Sequence, residues 1–173
     1  MRQFSTLHQR RQRGVASVEF ALLIVPLLMV AFGVLEYGRL LYHYDTVVKS
    51  ARSAARLIAQ RNPDEPSSYT TALSEARCLA VYGVLQCTQN QEPLVPGLQL
   101  SDVRICDRSS VNDCDGLSIN DVKNVSTGSD TGTLNLVIVR ITGYEFRFLG
   151  LPFTGAGSSL VFQPIQSVMR QGL

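Results

Sequence analysis

The chain has 173 residues, of which 45% are hydrophobic, with 16 basic and 14 acidic side chains and a formal net charge of +2. That length suits one modest domain plus an N-terminal segment. The near-balanced charge, with no Lys/Arg stripe interleaved with aromatics, argues against a nucleic-acid-binding surface. Charge is unevenly placed. Arg2, Arg10, Arg11 and Arg13 fall within residues 1–14, which hold no acid. Taking those four from the 16 leaves 12 basic against 14 acidic side chains, formally −2.

Residues 1–14 are polar, basic and unpatterned, and read as a disordered cytoplasmic leader. Residues 15–35 form an apolar run whose one charge is Glu19. The run is long enough to cross a bilayer, which needs about 20 residues. Pro26 interrupts it, removing a backbone donor and predicting a kink. Residues 36–61 change from all-apolar to amphipathic. Leu40, Leu41, Tyr44, Val47, Val48, Ala51, Ala55 and Ile58 recur at helical spacing, and Arg39, Asp45, Lys49, Arg52, Ser53 and Arg56 take the other side. Gly33 and Gly38 weaken the junction without breaking it. The pattern predicts one helix over 15–60, roughly 70 Å long. Asn62-Pro63 ends it, because the residue before proline avoids the helical region.

The remainder, 62–173, reads as a separate head. A linker over 62–68 leads to a helix over 69–82, capped by Ser67, Ser68 or Thr70 and closed by Gly83. Residues 86–97 read as loop. Residues 98–106 alternate imperfectly, which predicts a strand with a bulge. Residues 107–130, rich in Ser, Asn, Asp and Gly, read as mostly loop. Residues 133–148 carry the clearest strand signal. A turn over 150–157 precedes a last strand over 159–169, which Pro164 confines to an edge or splits in two.

Four cysteines, Cys78, Cys87, Cys106 and Cys114, fall in two local pairs. None forms C-x-x-C, and the two histidines, His8 and His43, lie too far away to complete a zinc set. Disulfides suit an extracytoplasmic head. Cys78–Cys87 with Cys106–Cys114 is the favoured pairing, although the count allows three connectivities and, in a reducing compartment, free buried thiols. Asn112-Asp113-Cys114-Asp115-Gly116 is oxygen-rich but does not fit a calcium loop, because Val111 takes the first ligand position. His43 reads as a solvated residue on the polar side of the long helix. Glu36 and Arg39, at i, i+3, read as an interfacial ion pair or as an inter-subunit pair. No nucleophile elbow or phosphate loop is present, so neither catalysis, a cofactor nor a metal is expected.

Glu19 is the residue that most needs a role. A carboxylate at the centre of a membrane helix costs roughly 2.5–3.5 kcal/mol on insertion scales. Gly14, four intervening residues and Glu19 have the spacing of a type IV prepilin cleavage site. Gly14 leaves no side chain to obstruct attack on its carbonyl, and the arginines hold the leader at the cytoplasmic face. Cleavage would give Val15 a free amine at the tip of an apolar helix, next to Glu19 and Phe20. That amine, from the same chain or a neighbour, would neutralise Glu19 and set register. The competing readings are an uncleaved signal anchor and a secretory signal peptide cut after Ala31-Phe32-Gly33.

Residues 14–56 resemble the TadE-like minor pilins, or pseudopilins, of the tight-adherence (Flp, type IVb) pilus systems. The resemblance rests on Gly14, Glu19-Phe20-Ala21-Leu22, Pro26, Phe32-Gly33, Glu36-Tyr37-Gly38-Arg39, Ala51-Arg52 and Ala55-Arg56. Gly143-Tyr144-Glu145-Phe146, Leu151-Pro152-Phe153 and Ser167-Val168-Met169-Arg170 resemble the ends of such proteins more loosely. The resemblance implies a structural protein cleaved between Gly14 and Val15 by a prepilin peptidase. Its implied partners are other Flp pilins and pseudopilins, an inner-membrane platform and secretion ATPase reached indirectly, and the lipid bilayer, with no nucleic acid. It implies a bacterial inner-membrane location with the N-terminus cytoplasmic and the head periplasmic. A membrane-anchored periplasmic binding module unrelated to pili is the alternative. The expected fold is α+β and pilin-like: a long N-terminal helix, membrane-embedded in its first half, packed on a head with one further helix and an antiparallel sheet of about three or four strands.

Overall fold

The computed structural model describes residues 8–88, 90–109, 114, 116–128, 132–149 and 158–171, with backbone alone at 8–13. The chain divides into two units, Met1–Leu40 with Phe148–Ser158, and Leu41–Arg147 with Ser159–Leu173.

Helix α1 runs His8–Ala59 with Pro26 inside it. It begins within the stretch expected to be a disordered leader. Gln and Arg are good helix formers, and His8-Gln9-Arg10-Arg11-Gln12-Arg13 holds no breaker. Arg56 in the last turn favours the negative end of the helix dipole. Past the end, the Asn62 side chain accepts from the Asp64 N–H at 3.0 Å, an Asx turn around Pro63. Helix α2, Pro66–Tyr82, starts earlier than its apolar pattern suggests. Proline at the first helical position loses no bond it would otherwise make. Glu65 is the N-cap and supplies no side-chain cap. Ser67, Ser68 and Thr70, expected as caps, therefore lie inside the helix. Gly83 closes α2 in the left-handed conformation, its N–H donating to Leu79 O at 3.1 Å.

A four-stranded antiparallel sheet is built on β3 (Thr133–Ile141). β1 (Val103–Cys106) pairs with 138–141, β2 (Val125–Ser126) pairs with 133–134, and β6 (Ile165–Gln171) pairs with 135–141. β1 and β6 share partners on β3, so they lie on its opposite edges. The bulge expected before β1 is instead a short 3-10 turn, Leu100–Asp102, in which Asp102 Oδ2 accepts from the Gln99 N–H at 2.9 Å. The long strand expected over 133–148 ends at Ile141, because Gly143 has φ +76° and turns the backbone out of the sheet. β4 (Glu145–Arg147) then pairs with β5 (Ser159–Val161) in a separate two-stranded sheet. Pro164 falls between β5 and β6, so the final strand is split there, and β6 lies at an edge of the four-stranded sheet among the described residues.

β3 is covered on both faces. Val137, Val139 and Ile141 join Val47, Ala51, Ala54, Ala55 and Ile58 of α1 and Ala72, Ala76 and Ala80 of α2 in the main core. Ile138 and Leu136 point the other way, against Cys106, Cys114 and Val122. Alternation along one strand therefore feeds two apolar clusters. The architecture is α+β, with a long apolar helix, one further helix and an antiparallel sheet. The turn over 150–157, with Pro152, lies outside the described residues, as do Asn112, Asp113 and Asp115 of the oxygen-rich loop.

Candidate functional site

The N-terminal unit presents an apolar surface. Val15, Phe20, Leu22, Leu23, Leu27, Val30, Phe32 and Val34 are each more than half exposed. The most apolar window of the helix is wholly unburied, and the helix is long and apolar enough to cross a membrane. Gly14 and Glu19 are exposed, and a side chain built at Gly14 would meet nothing within 4 Å. A continuous apolar surface of this extent on one chain marks a contact with lipid or protein.

Glu36, on the same unit, is buried among polar partners. Its carboxylate receives Arg39 through Nη2 at 2.5 Å and Nε at 3.2 Å. The backbone N–H of Leu149 adds a third bond, at 2.8 Å to Oε1. The pair predicted from i, i+3 spacing thus forms within one chain. The Leu149 donor, 113 residues away, has no signal in the sequence.

On the second unit, His43 corrects the sequence reading. It is 8% exposed rather than solvated. Its Nδ1 lies 2.8 Å from Tyr144 Oη, and its ring stands edge-on to Phe146 with centroids 5.2 Å apart. Spacing carried a signal for this: His43, Val47, Ala51, Ala54 and Ile58 share the buried stripe of α1. Further along, Tyr69 Oη donates to the buried Asp107 carboxylate and accepts from Gln171 Nε2 at 3.2 Å. Asp107 also accepts from the Ser109 N–H at 2.6 Å. Burial, reinforced by the bond to Asp107, pushes the Tyr69 phenol well above its ordinary range, so it stays a neutral donor.

Cys78 and Cys87 stand at disulfide distance, Cα atoms 5.4 Å apart, as do Cys106 and Cys114 at 6.2 Å. Both separations lie in the range a disulfide spans. An open groove of about 280 Å³ is lined by Thr46, Lys49, Ser50, Ser53, Leu79, Gly83 and Leu94. Its three hydroxyls bond back to carbonyls of α1, and Lys49 pairs with Asp45 at 2.6 Å. It offers no convergent chemistry. Among the described residues, no cluster of His, Cys, Asp and Glu is arranged to hold a metal.

What remains is the exposed apolar helix, with Gly14 and Glu19 near its start. Residues 14–56 match the family model of TadE-like proteins. The match covers about a quarter of the chain and supports an association with the Tad pilus system. No curated protein and no solved structure matches the chain. The TadE-like segment holds the exposed apolar run, Glu36 and Arg39, and the buried stripe from His43 to Ala55. One family segment therefore supplies both an unburied surface and part of the core.

Proposed function

We propose that the chain is a minor pilin or pseudopilin of the Flp (Tad) pilus, processed between Gly14 and Val15 by a prepilin peptidase. The observation that carries this is a coincidence of position. The TadE-like match begins at Gly14, the glycine that the spacing to Glu19 marks for cleavage. In the precursor, the apolar run holds the chain in the bacterial inner membrane as a single pass, with the basic residues cytoplasmic and the head periplasmic. After cleavage the same surface packs against other pilins or pseudopilins, and the Val15 amine neutralises Glu19. The platform and the secretion ATPase act on the assembly rather than on the head. The role is structural, in pilus biogenesis, adhesion or secretion.

N-terminal sequencing of the mature protein tests the processing step. A chain beginning at Val15 is expected. One that retains residues 1–14 sinks the proposal and favours an uncleaved, membrane-anchored binding module. Glu19→Ala is expected to leave cleavage intact and abolish piliation; normal piliation would remove Glu19 from assembly.

A further inference from the structure

Among the described residues, the sheet has one long edge with no strand beside it. β6 pairs with β3 alone. Which of its backbone groups face outward follows from one hydrogen bond. The Leu136 N–H donates to Val122 O at 2.7 Å, so it is not spent on β6, and Leu136–Arg170 is a non-hydrogen-bonded pair of the β3–β6 ladder. The register runs without a bulge from Asn135–Gln171 to Ile141–Ile165. Pair types alternate along an antiparallel ladder, so Ile138–Val168 and Arg140–Gln166 are also non-hydrogen-bonded. The N–H and C=O groups of Gln166, Val168 and Arg170 therefore point away from β3. Among the described residues these groups have no backbone partner. Val168 is 47% exposed.

Natural sheets shield such an edge with lysines, prolines, bulges or very short strands. β6 has seven residues, no glycine, proline or bulge, and one charge, Arg170. β1, the strand on the other side of β3, has four residues and leads directly into the buried Asp107 node.

We infer that β6 is a self-association edge, pairing antiparallel with β6 of a second copy of this chain about a two-fold axis at Val168. The register is dictated by complementarity. Centring on Val168 sets Val168 against its mate and Gln166 against Arg170 in both directions. All three outward residues are then used, each pair exchanging two main-chain bonds, and the arginine meets a neutral amide. A shift of the axis to Ser167 brings Pro164, which has no donor, into the ladder and drops Arg170. A shift to Met169 drops Gln166, and a shift to Arg170 opposes two arginines. The contact is isologous, so it closes as a dimer and does not propagate. It is independent of cleavage at Gly14.

The test uses the full chain in membranes, with single cysteines introduced and a short thiol-reactive cross-linker added without reductant. Val168→Cys is expected to give a product of twice the monomer mass, roughly tenfold faster than Lys123→Cys on an exposed turn, as for a pair held in reach against one meeting by diffusion. Gln166→Cys and Arg170→Cys are expected to cross-link to each other when mixed. Gln166→Cys alone is expected to cross-link poorly, because its mate lies four positions away, about 14 Å. Three outcomes overturn the inference: Val168→Cys reacting no faster than Lys123→Cys, Gln166→Cys reacting with itself as well as with Arg170→Cys, or a product whose mass identifies a different protein on the edge.

Discussion

Two side chains show how burial reassigns residues that look ordinary in the sequence. His43 shares the helix with Arg39, Asp45 and Lys49, and adjacency in sequence suggests a solvated residue. It is buried because it sits four residues before Val47 on the stripe that enters the core, where Tyr144 and Phe146 close over it. Tyr69 gave no signal, since its partners Asp107 and Gln171 lie 38 and 102 residues away. Its raised phenol pKa makes a signed prediction. A group that holds its proton more tightly when folded contributes stability that is complete below the unfolded pKa of about 10 and is lost as pH rises above it. Stability should therefore fall on the alkaline side. Tyr69→Phe removes a donor from buried Asp107 and should cost about 1–3 kcal/mol at neutral pH. It should also flatten the alkaline decline. Denaturant unfolding of the full chain in detergent, compared at neutral and alkaline pH, checks both effects. Parallel declines in the two proteins would place the alkaline loss elsewhere.

At the scale of elements, what could be read was what periodicity encodes. The apolar run and its amphipathic continuation predicted α1, and alternating Leu134, Leu136 and Ile138 predicted β3. Boundaries set by single backbone conformations were less legible. Pro66 begins α2 ahead of its apolar pattern, Gly143 ends β3, and a 3-10 turn stands where imperfect alternation suggested a bulge. The closing signal of α2 was legible, and its physical basis is testable. Gly83 has φ +74°, and a Cβ there would lie 3.1 Å from Leu94 Cδ2. Leu94 also donates its N–H to Val81 O at 2.8 Å, which ties the following loop to the helix end. Gly83→Ala forces an L-residue into the left-handed region, at about 1–2 kcal/mol. For a chain of this size that lowers the melting temperature by about 2–8 °C. An unchanged melting temperature would mean the cap rearranges freely.

For the whole molecule, the question is what holds the sheet in shape beyond the stripe of α1, Val47 to Ile58, that joins its main core. The sheet answers by burying both faces of β3, and the second face depends on the cysteines. Cys106 and Cys114 are nearly inaccessible and pack with Val122 and Ile138. Cys78 and Cys87 join the last turns of α2 to the following loop, and Cys87 is only partly buried. The two links close loops of similar length, with separations of 9 and 8 residues. Chain entropy therefore assigns them about equal worth, roughly 2.5 kcal/mol each, and access separates them. Exchange requires a thiolate to reach a sulfur, so a mild reductant should open Cys78–Cys87 first. Alkylation and mass mapping over a reduction time course should show label at Cys78 and Cys87 while Cys106 and Cys114 remain protected. Removing the inner pair adds a packing defect to the lost constraint, so Cys106→Ala with Cys114→Ala should destabilise the head more than Cys78→Ala with Cys87→Ala. Simultaneous labelling of all four cysteines would mean that the second apolar cluster opens as readily as the loop after α2, and that the far face of β3 is not a core.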